Sequence, residues 1–381
     1  MKVALAHHWI MSYRGGERVL EQIAALFERA PIYTLTHDVA IDVPGLVNHD
    51  IRTSFLNRLP QIEKLYKHLL PLHPLAISRM RIADDVELLL SSDASLIKAI
   101  PTSPSTKHVC YCHSPPRYLW EVIEDYKKTS LSTRLLLDRC LPALKRFDFA
   151  AAQRVDHFIA NSKFVASRIS KYYGRESDVV YRPVAVDQFN AHQTRDDFYL
   201  VLSELVPYKR IDIAVKAFAG TNRRLVVIGD GSERANLEAI ATPNITFHGR
   251  QPFAAVKQYF ETAKAFIFPG IEDFGIAPVE SQAAGCPVIA LGAGGALETV
   301  IDHETGLFFK SQTVESLRDA IEHFERTSIE VDACTANAQR FCNQRFQTEY
   351  LACLQRYTNG AVDKPSPVVI RTNSEQCLAL N

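Results

Sequence analysis

Short, continuously apolar runs alternate with amphipathic helical stretches along most of the 381 residues. A run that is apolar throughout suits a strand buried on both faces. A sheet reaches that state when helices cover it, so the pattern predicts parallel α/β sheets. In the first half, residues 3–6, 87–90, 108–112 and 157–160 predict strands. In the second half, residues 199–202, 224–228, 245–247, 265–268 and 288–290 do so. Residues 16–29 predict the first helix, with Val19, Leu20, Ile23, Leu26 and Phe27 at helical spacing. Residues 181–194 hold Arg182-Pro183 and a polar stretch, the composition of a linker. Two open α/β domains joined in this way put ligands in a cleft at the carboxyl ends of the strands.

Composition narrows the class. The chain is 47% hydrophobic and 23% charged, as ordinary globular proteins are, and its formal net charge is zero, which argues against a nucleic-acid binder. No apolar run is long enough to span a bilayer, and the apolar start at residues 3–6 is too short for a signal peptide. The eight cysteines make no Cys-x-x-Cys pattern, so reduced thiols and a cytoplasmic location are expected.

The most informative string is PGIEDFGIAPVE, residues 269–280. A strand precedes it, Pro278 suits the first turn of a helix, and Gly275 lets the backbone approach a ligand closely. The N–H groups at such a helix start, with the positive end of its dipole, bind anions. Glu280 is expected inside the first turn and Glu272 in the loop before it. A carboxylate repels phosphate, so Glu280 is expected to accept hydrogen bonds from sugar hydroxyls, while Glu272 can face a second group. Two carboxylates flanking an anion site fit a nucleoside diphosphate with a sugar on each side.

Other strand ends carry candidates too. Arg14-Gly15-Gly16 opens the first helix, although Gly-Gly turns are common and the dinucleotide fingerprint is absent. Lys209 and Arg210 follow the first strand of the second half, where a long-stemmed ammonium reaches a diphosphate. His113 precedes Ser-Pro-Pro at the end of another strand, with Arg117, Tyr118 and Trp120 following. Gly229-Asp-Gly231 is a further strand-to-glycine turn, and Arg250 follows the next strand. His7, Asn161 and Ser162 end first-half strands.

The 269–280 string resembles the signature of the retaining nucleotide-sugar glycosyltransferases of family 4. With the other motifs, the resemblance runs from about Gly15 to Glu298. It implies the GT-B fold, two Rossmann-like parallel-sheet domains facing a cleft. It assigns residues 1–183 to an acceptor-side domain and 184–345 to a nucleotide-sugar domain. Residues 346–358 become a helix crossing back to the first domain, and 359–381 a poorly ordered tail. The activity implied is hexosyl transfer, with mannose from GDP-mannose as the closest fit and a UDP-sugar as the alternative. Lys209, Glu272 and His113 are implied in catalysis. Gly15, Gly16, Arg210, Gly229, Gly231, Arg250, Asp273, Phe274, Gly275, Ile276, Ala277 and Glu280 are implied at the donor. His7, Arg14, Arg117, Tyr118, Asn161 and Ser162 are implied on the acceptor side.

Many relatives carry arginine where this chain has Glu204, so one expected cation is missing. No Asp-x-Asp motif is present, so no metal or other cofactor is expected. The acceptor implied is a lipid-linked or other glycan of bacterial surface polysaccharide synthesis. Residues 52–81 and 127–146 each hold six basic residues against one acidic one, interleaved with leucines and aromatics. That composition suits peripheral contact with an anionic inner-membrane surface. Two other readings stay open: a nucleotide-sugar hydrolase or epimerase, and a non-catalytic nucleotide-sugar sensor.

Overall fold

The computed structural model describes residues 1–121 and 131–362. The chain divides into two compact units, Met1–Tyr181 with the segment from Gln347, and Arg182–Phe346.

The first unit is a seven-stranded sheet in the order β3-β2-β1-β4-β5-β6-β7. Its strands are β1 (Val3–His7), β2 (Ile32–Thr34), β3 (Ile51–Thr53), β4 (Leu88–Asp93), β5 (Lys107–Cys112), β6 (His157–Ala160) and β7 (Ser177–Val179). The second is a six-stranded sheet in the order β10-β9-β8-β11-β12-β13. It comprises β8 (Tyr199–Leu202), β9 (Leu225–Ile228), β10 (Ile245–Gly249), β11 (Ala265–Phe268), β12 (Val288–Leu291) and β13 (Gly306–Phe309). Every pairing between these strands is parallel. Strand order reverses beside β1 in one sheet and beside β8 in the other, where α/β sheets open a crevice at their carboxyl ends.

Alternate residues of β8 enter opposite cores. Tyr199 and Val201 pack with Ile213 and Phe218, whereas Leu200 and Leu202 pack with Phe260 and Phe266. This explains the uninterrupted apolar runs, since both faces are covered. β2, β3, β7 and β13 have no counterpart in the sequence expectations. Three of them are only three residues long, and β3 and β7 are edge strands with little burial.

The first helix, α1, spans Gly15–Ala24 and is shorter than the expected 16–29. The chain leaves it in tight turns, Leu26 N–H to Ile23 O and Phe27 N–H to Ala24 O, and Arg29 turns left-handed at φ 62°. α2 (Leu131–Arg154) follows β5, and α3 (Lys163–Tyr173) follows β6. In the second unit α4 (Ile211–Phe218) follows β8 and α5 (Ile276–Ala283) follows β11. The last helix, α6 (Asn343–Thr358), starts in the second unit and supplies the residues from Gln347 onward to the first. The expected basic stretch at 127–146 lies partly outside the described residues, as does the tail from 363.

Candidate active site

In the second unit, Lys209 and Glu272 meet. The Lys209 ammonium forms a salt bridge with the Glu272 carboxylate, and both side chains are largely buried. Backbone packing makes this possible. Gly270 lies under Lys209, and a Cβ there would come within 3.0 Å of the Lys209 carbonyl oxygen. Gly294 and Gly295 support the Glu272 loop: the Gly295 N–H donates to the Glu272 carbonyl at 2.8 Å, and a Cβ on Gly295 would meet the Phe274 backbone at 2.4 Å. Lys209 also lies 5.5 Å from the centre of the Tyr208 ring. A paired ammonium and carboxylate at the end of β8 and β11 can divide their charges between an anion and hydroxyl groups.

α5 begins at this pair. Gly275 precedes it at φ 87°, a left-handed conformation that glycine adopts without strain, and Pro278 occupies its first turn. Glu280 is the fifth helical residue, so it lies in the second turn and not the first; its side chain is buried. Phe274 and Ile276 are 1% and 3% exposed, and Phe274 packs edge-on against Phe341. Their apolar side chains belong to the core, which leaves only their main chains for a ligand. Asp273 and Ala277 are half-buried beside them.

The neighbouring glycines close the loops. A Cβ on Gly229 would fall 1.8 Å from the Ser203 carbonyl oxygen and one on Gly231 2.3 Å from that of Leu205. Both glycines thus let the loop after β9 lie directly on the loop carrying Glu204. Arg210 turns left-handed at φ 54°, and its guanidinium is engaged by Asp212 at 3.0 Å and Gln312 at 3.4 Å. Arg250 is exposed after β10 and makes no ion pair among the described residues.

In the first unit a histidine cluster forms at the ends of β1, β4 and β5. Ser92 Oγ lies 2.8 Å from His113 Nε2 and 3.1 Å from His7 Nδ1, and the Ser92 carbonyl lies 3.3 Å from His8 Nδ1. All four residues are buried. Gly16, in the first turn of α1, backs onto the two β1 imidazoles: its Cβ position is 3.5 Å from Cε1 of each. Gly15 opens the helix, and the preceding Arg14 N–H donates to Glu17 Oε2 at 3.0 Å.

Asn161 and Ser162 are fully buried and do not face solvent. Asn161 Nδ2 donates to the His113 carbonyl at 2.8 Å, and Ser162 caps α3 by accepting from the Val165 N–H. They hold His113 and α3 in place. Tyr118 is also turned inward, its hydroxyl 2.6 Å from Ser95 Oγ, and burial raises its pKa. Arg117 lies 3.8 Å from Glu121.

Beneath the cluster is a buried ionic group that the sequence expectations lack. Lys98 Nζ lies 3.2 Å from Asp93 and 2.5 Å from Asp148, and Asp148 accepts from Trp120 and Tyr173 at 2.8 Å each. Burial opposes the charge on Lys98, yet Asp148 first and then Tyr173 and Asp93 win, and its pKa is raised well above normal. Burial likewise works against ionised Asp93, but Lys98 and then His8 hold its pKa below the usual value. The available sequence signal was a polar ending, Ser91-Ser92-Asp93, on an otherwise apolar strand.

Among the described residues, one group brings three donor atoms of metal-ligating type close together. The donor atoms of His157, Asp178 and Cys353 lie within 4.8 Å of one another. Asp178 Oδ2 also receives Arg356 Nη2 at 3.0 Å and the Tyr357 hydroxyl at 2.9 Å. A guanidinium on the same oxygen disfavours a second cation there, so the cluster is better suited to fastening α6 to β7.

The two-sheet architecture is the GT-B fold. The HepE protein of Anabaena, crystallised with UDP, superposes with a TM-score of 0.66 at 17% identity over 93% of this chain and all of its own. Residues 185–341, most of the second unit, match the family model "Glycosyl transferases group 1". A GDP-mannose-dependent phosphatidylinositol monomannoside mannosyltransferase of Mycobacterium tuberculosis is 30% identical over 192 residues, 42% of this chain and 50% of that protein. An O-antigen chain mannosyltransferase of Salmonella typhimurium is 25% identical over 194 residues, 46% and 55% of the two chains. The chain spans about half the length of the curated relatives it matches.

Proposed function

We propose that this protein transfers a hexosyl group, mannose from GDP-mannose, from a nucleoside diphosphate to a lipid-linked or other glycan acceptor with retention at the anomeric carbon. The observation that carries the reading is the Lys209–Glu272 pair at the amino end of α5. The donor's C1–O bond breaks, and the electron pair leaves with the β-phosphate. Lys209 and the amides of Gly275, Ile276 and Ala277 meet that growing charge, a preorganised form of stabilisation. Glu272 accepts from hydroxyls of the donor sugar, and Glu280 from the ribose. The acceptor oxygen attacks the face the phosphate leaves, and its proton passes to the departing phosphate. His113 orients the donor sugar. None of these steps calls on a metal. The choice of GDP-mannose is supported by the mannosyltransferase relatives.

A membrane-facing role draws on residues 52–81. Phe55, Leu59, Leu65, Leu72 and Leu75 are exposed there, and Phe55 lines a cavity of about 340 Å³ together with Arg52, Arg79 and Arg81. Apolar side chains among cations suit an anionic bilayer on the cytoplasmic face. Among the described residues no helix is long and apolar enough to cross a membrane.

The test incubates the protein with labelled GDP-mannose, UDP-glucose and UDP-galactose, with and without EDTA, in the presence of bacterial membrane extract. Label moving from GDP-mannose into lipid or glycan, unaffected by EDTA, is the expected result. Label reaching only water would make the protein a hydrolase. Transfer only from a UDP-sugar would overturn the donor, and rescue of an EDTA-treated sample by Mg²⁺ or Mn²⁺ would overturn the metal-free mechanism.

A further inference from the structure

We infer that Ser92 is a positioning residue that couples the protonation of His113 to that of His7. Its importance for catalysis rests on the role given to His113 above; the coupling itself does not.

What each atom can donate or accept decides the arrangement. The carbonyl of Ser92 only accepts, so His8 Nδ1, 3.3 Å away, carries its hydrogen. The hydroxyl of Ser92 has one hydrogen to donate and lies within reach of two ring nitrogens, His113 Nε2 at 2.8 Å and His7 Nδ1 at 3.1 Å. It can donate to one of them only. The other must then donate to it, because two lone pairs facing one oxygen cannot both be satisfied. Both could donate to the oxygen only if the hydroxyl hydrogen had a third acceptor, and among the described residues Ser92 Oγ has no partner besides these two, so the facing nitrogens of His7 and His113 hold opposite states. With the hydroxyl pointing to His7, His113 is protonated on Nε2 and its Nδ1 is an acceptor. With it pointing to His113, His7 is protonated on Nδ1.

The register makes this arrangement a property of the sheet. Ser92 on β4 is the direct neighbour of His7 on β1 and of Tyr111 on β5, two residues before His113. The main chain after β5 is fixed by His113 N–H donating to the Asp93 carbonyl and by Asn161 on the His113 carbonyl. The ring centres of His7 and His8 are 4.1 Å apart, and those of His7 and His113 6.2 Å, so a second positive charge in the cluster is disfavoured. Other titratable or charged groups on the elements around it are Asp93 at the end of β4, Lys98 after it, Tyr111 on β5 and Glu17 on α1, all buried. When His113 takes a proton at Nδ1, its Nε2 proton can pass to Ser92 Oγ while the hydroxyl hydrogen passes to His7 Nδ1. Protons balance: one enters at His113, and the positive charge comes to rest on His7.

The experiment is ¹⁵N–¹H correlation of the histidine rings in the whole protein over roughly pH 5 to 9. Signals are assigned with His7→Gln and His113→Gln. The expected wild-type result is His8 protonated on Nδ1 throughout, with His7 and His113 in opposite states at their facing nitrogens. In Ser92→Ala, His113 should change or mix tautomers, and its midpoint should move by about one pH unit. Ser92→Thr, which keeps the hydroxyl, should restore both. An unchanged His113 tautomer and midpoint in folded Ser92→Ala would overturn the coupling, as would rings that titrate independently in the wild type. Failure of sugar transfer would instead strike the proposed function, because the ring spectra do not depend on it. If transfer is observed, its kcat should follow the shifted midpoint in Ser92→Ala while KM for the donor stays constant.

Discussion

The two units share a parallel-sheet plan but finish their strands differently. In the first, the carboxyl ends of β1, β4 and β5 bear buried reactive side chains: His7, Ser92, Asp93 and, one step beyond, His113. In the second, the strands run into glycine turns at Gly229, Gly249, Gly270 and Gly292, and few side chains intervene. The first unit thus presents chemistry that depends on protonation. The second presents main-chain amides and one ion pair, which suit a phosphate whose charge is constant.

That contrast is most open to attack at the ionic group beneath the histidines. Lys98→Met leaves Asp93 and Asp148 buried without their cation, which should cost about 3–5 kcal/mol. Both tryptophans, Trp9 and Trp120, lie in the first unit, so urea unfolding followed by tryptophan fluorescence reads that unit alone. An unchanged midpoint would show that the charges are not needed for its stability.

Lys209→Ala probes the other side. Loss of the ammonium should lower kcat/KM by about 100- to 1,000-fold, while the thermal unfolding of the whole protein, followed by far-UV circular dichroism, stays in place. A large shift in that transition would mean that Lys209 is structural.

Acid should separate the units with a smaller effect. Burial pushes the pKa of both His73 and His108, in the first unit, down from 6.5 to about 4. The unfolded chain therefore binds these protons first. Stability is complete above the unfolded value of 6.5, declines as pH falls towards 4, and gains no further loss from these groups below that. At about pH 5 each histidine should have cost about 2 kcal/mol. His108→Gln should flatten the decline; a first unit equally stable at both ends of this window would contradict the assignment.

Much of the fold could be read from the chain because buried parallel strands leave continuous apolar runs, as at Ala265–Phe268. β3 and β7 could not, because an edge strand needs few apolar residues and its pairing is decided by its neighbour. The 269–280 string showed the turn into α5 through Gly275 and Pro278, but the depth of Glu280 depended on where the helix began. Lys209 and Glu272 were each legible, yet not as partners, since Gly270 and Gly294–Gly295 set their separation from remote positions. Ser92 was missed: the polar ending of its strand marks the position, but its partners appear only when the sheet register brings His7 and His113 to it.

The fastening of α6 at Asp178 has a consequence for biosynthesis. β7 leaves the ribosome long before the residues that satisfy its carboxylate, Cys353, Arg356 and Tyr357. The first unit therefore cannot be completed as it emerges; it waits, one edge unfinished, until the whole second unit has been translated. A nascent chain halted near Tyr181 should expose that edge to chaperones and proteases, and adding residues 343–358 as a separate peptide should close it.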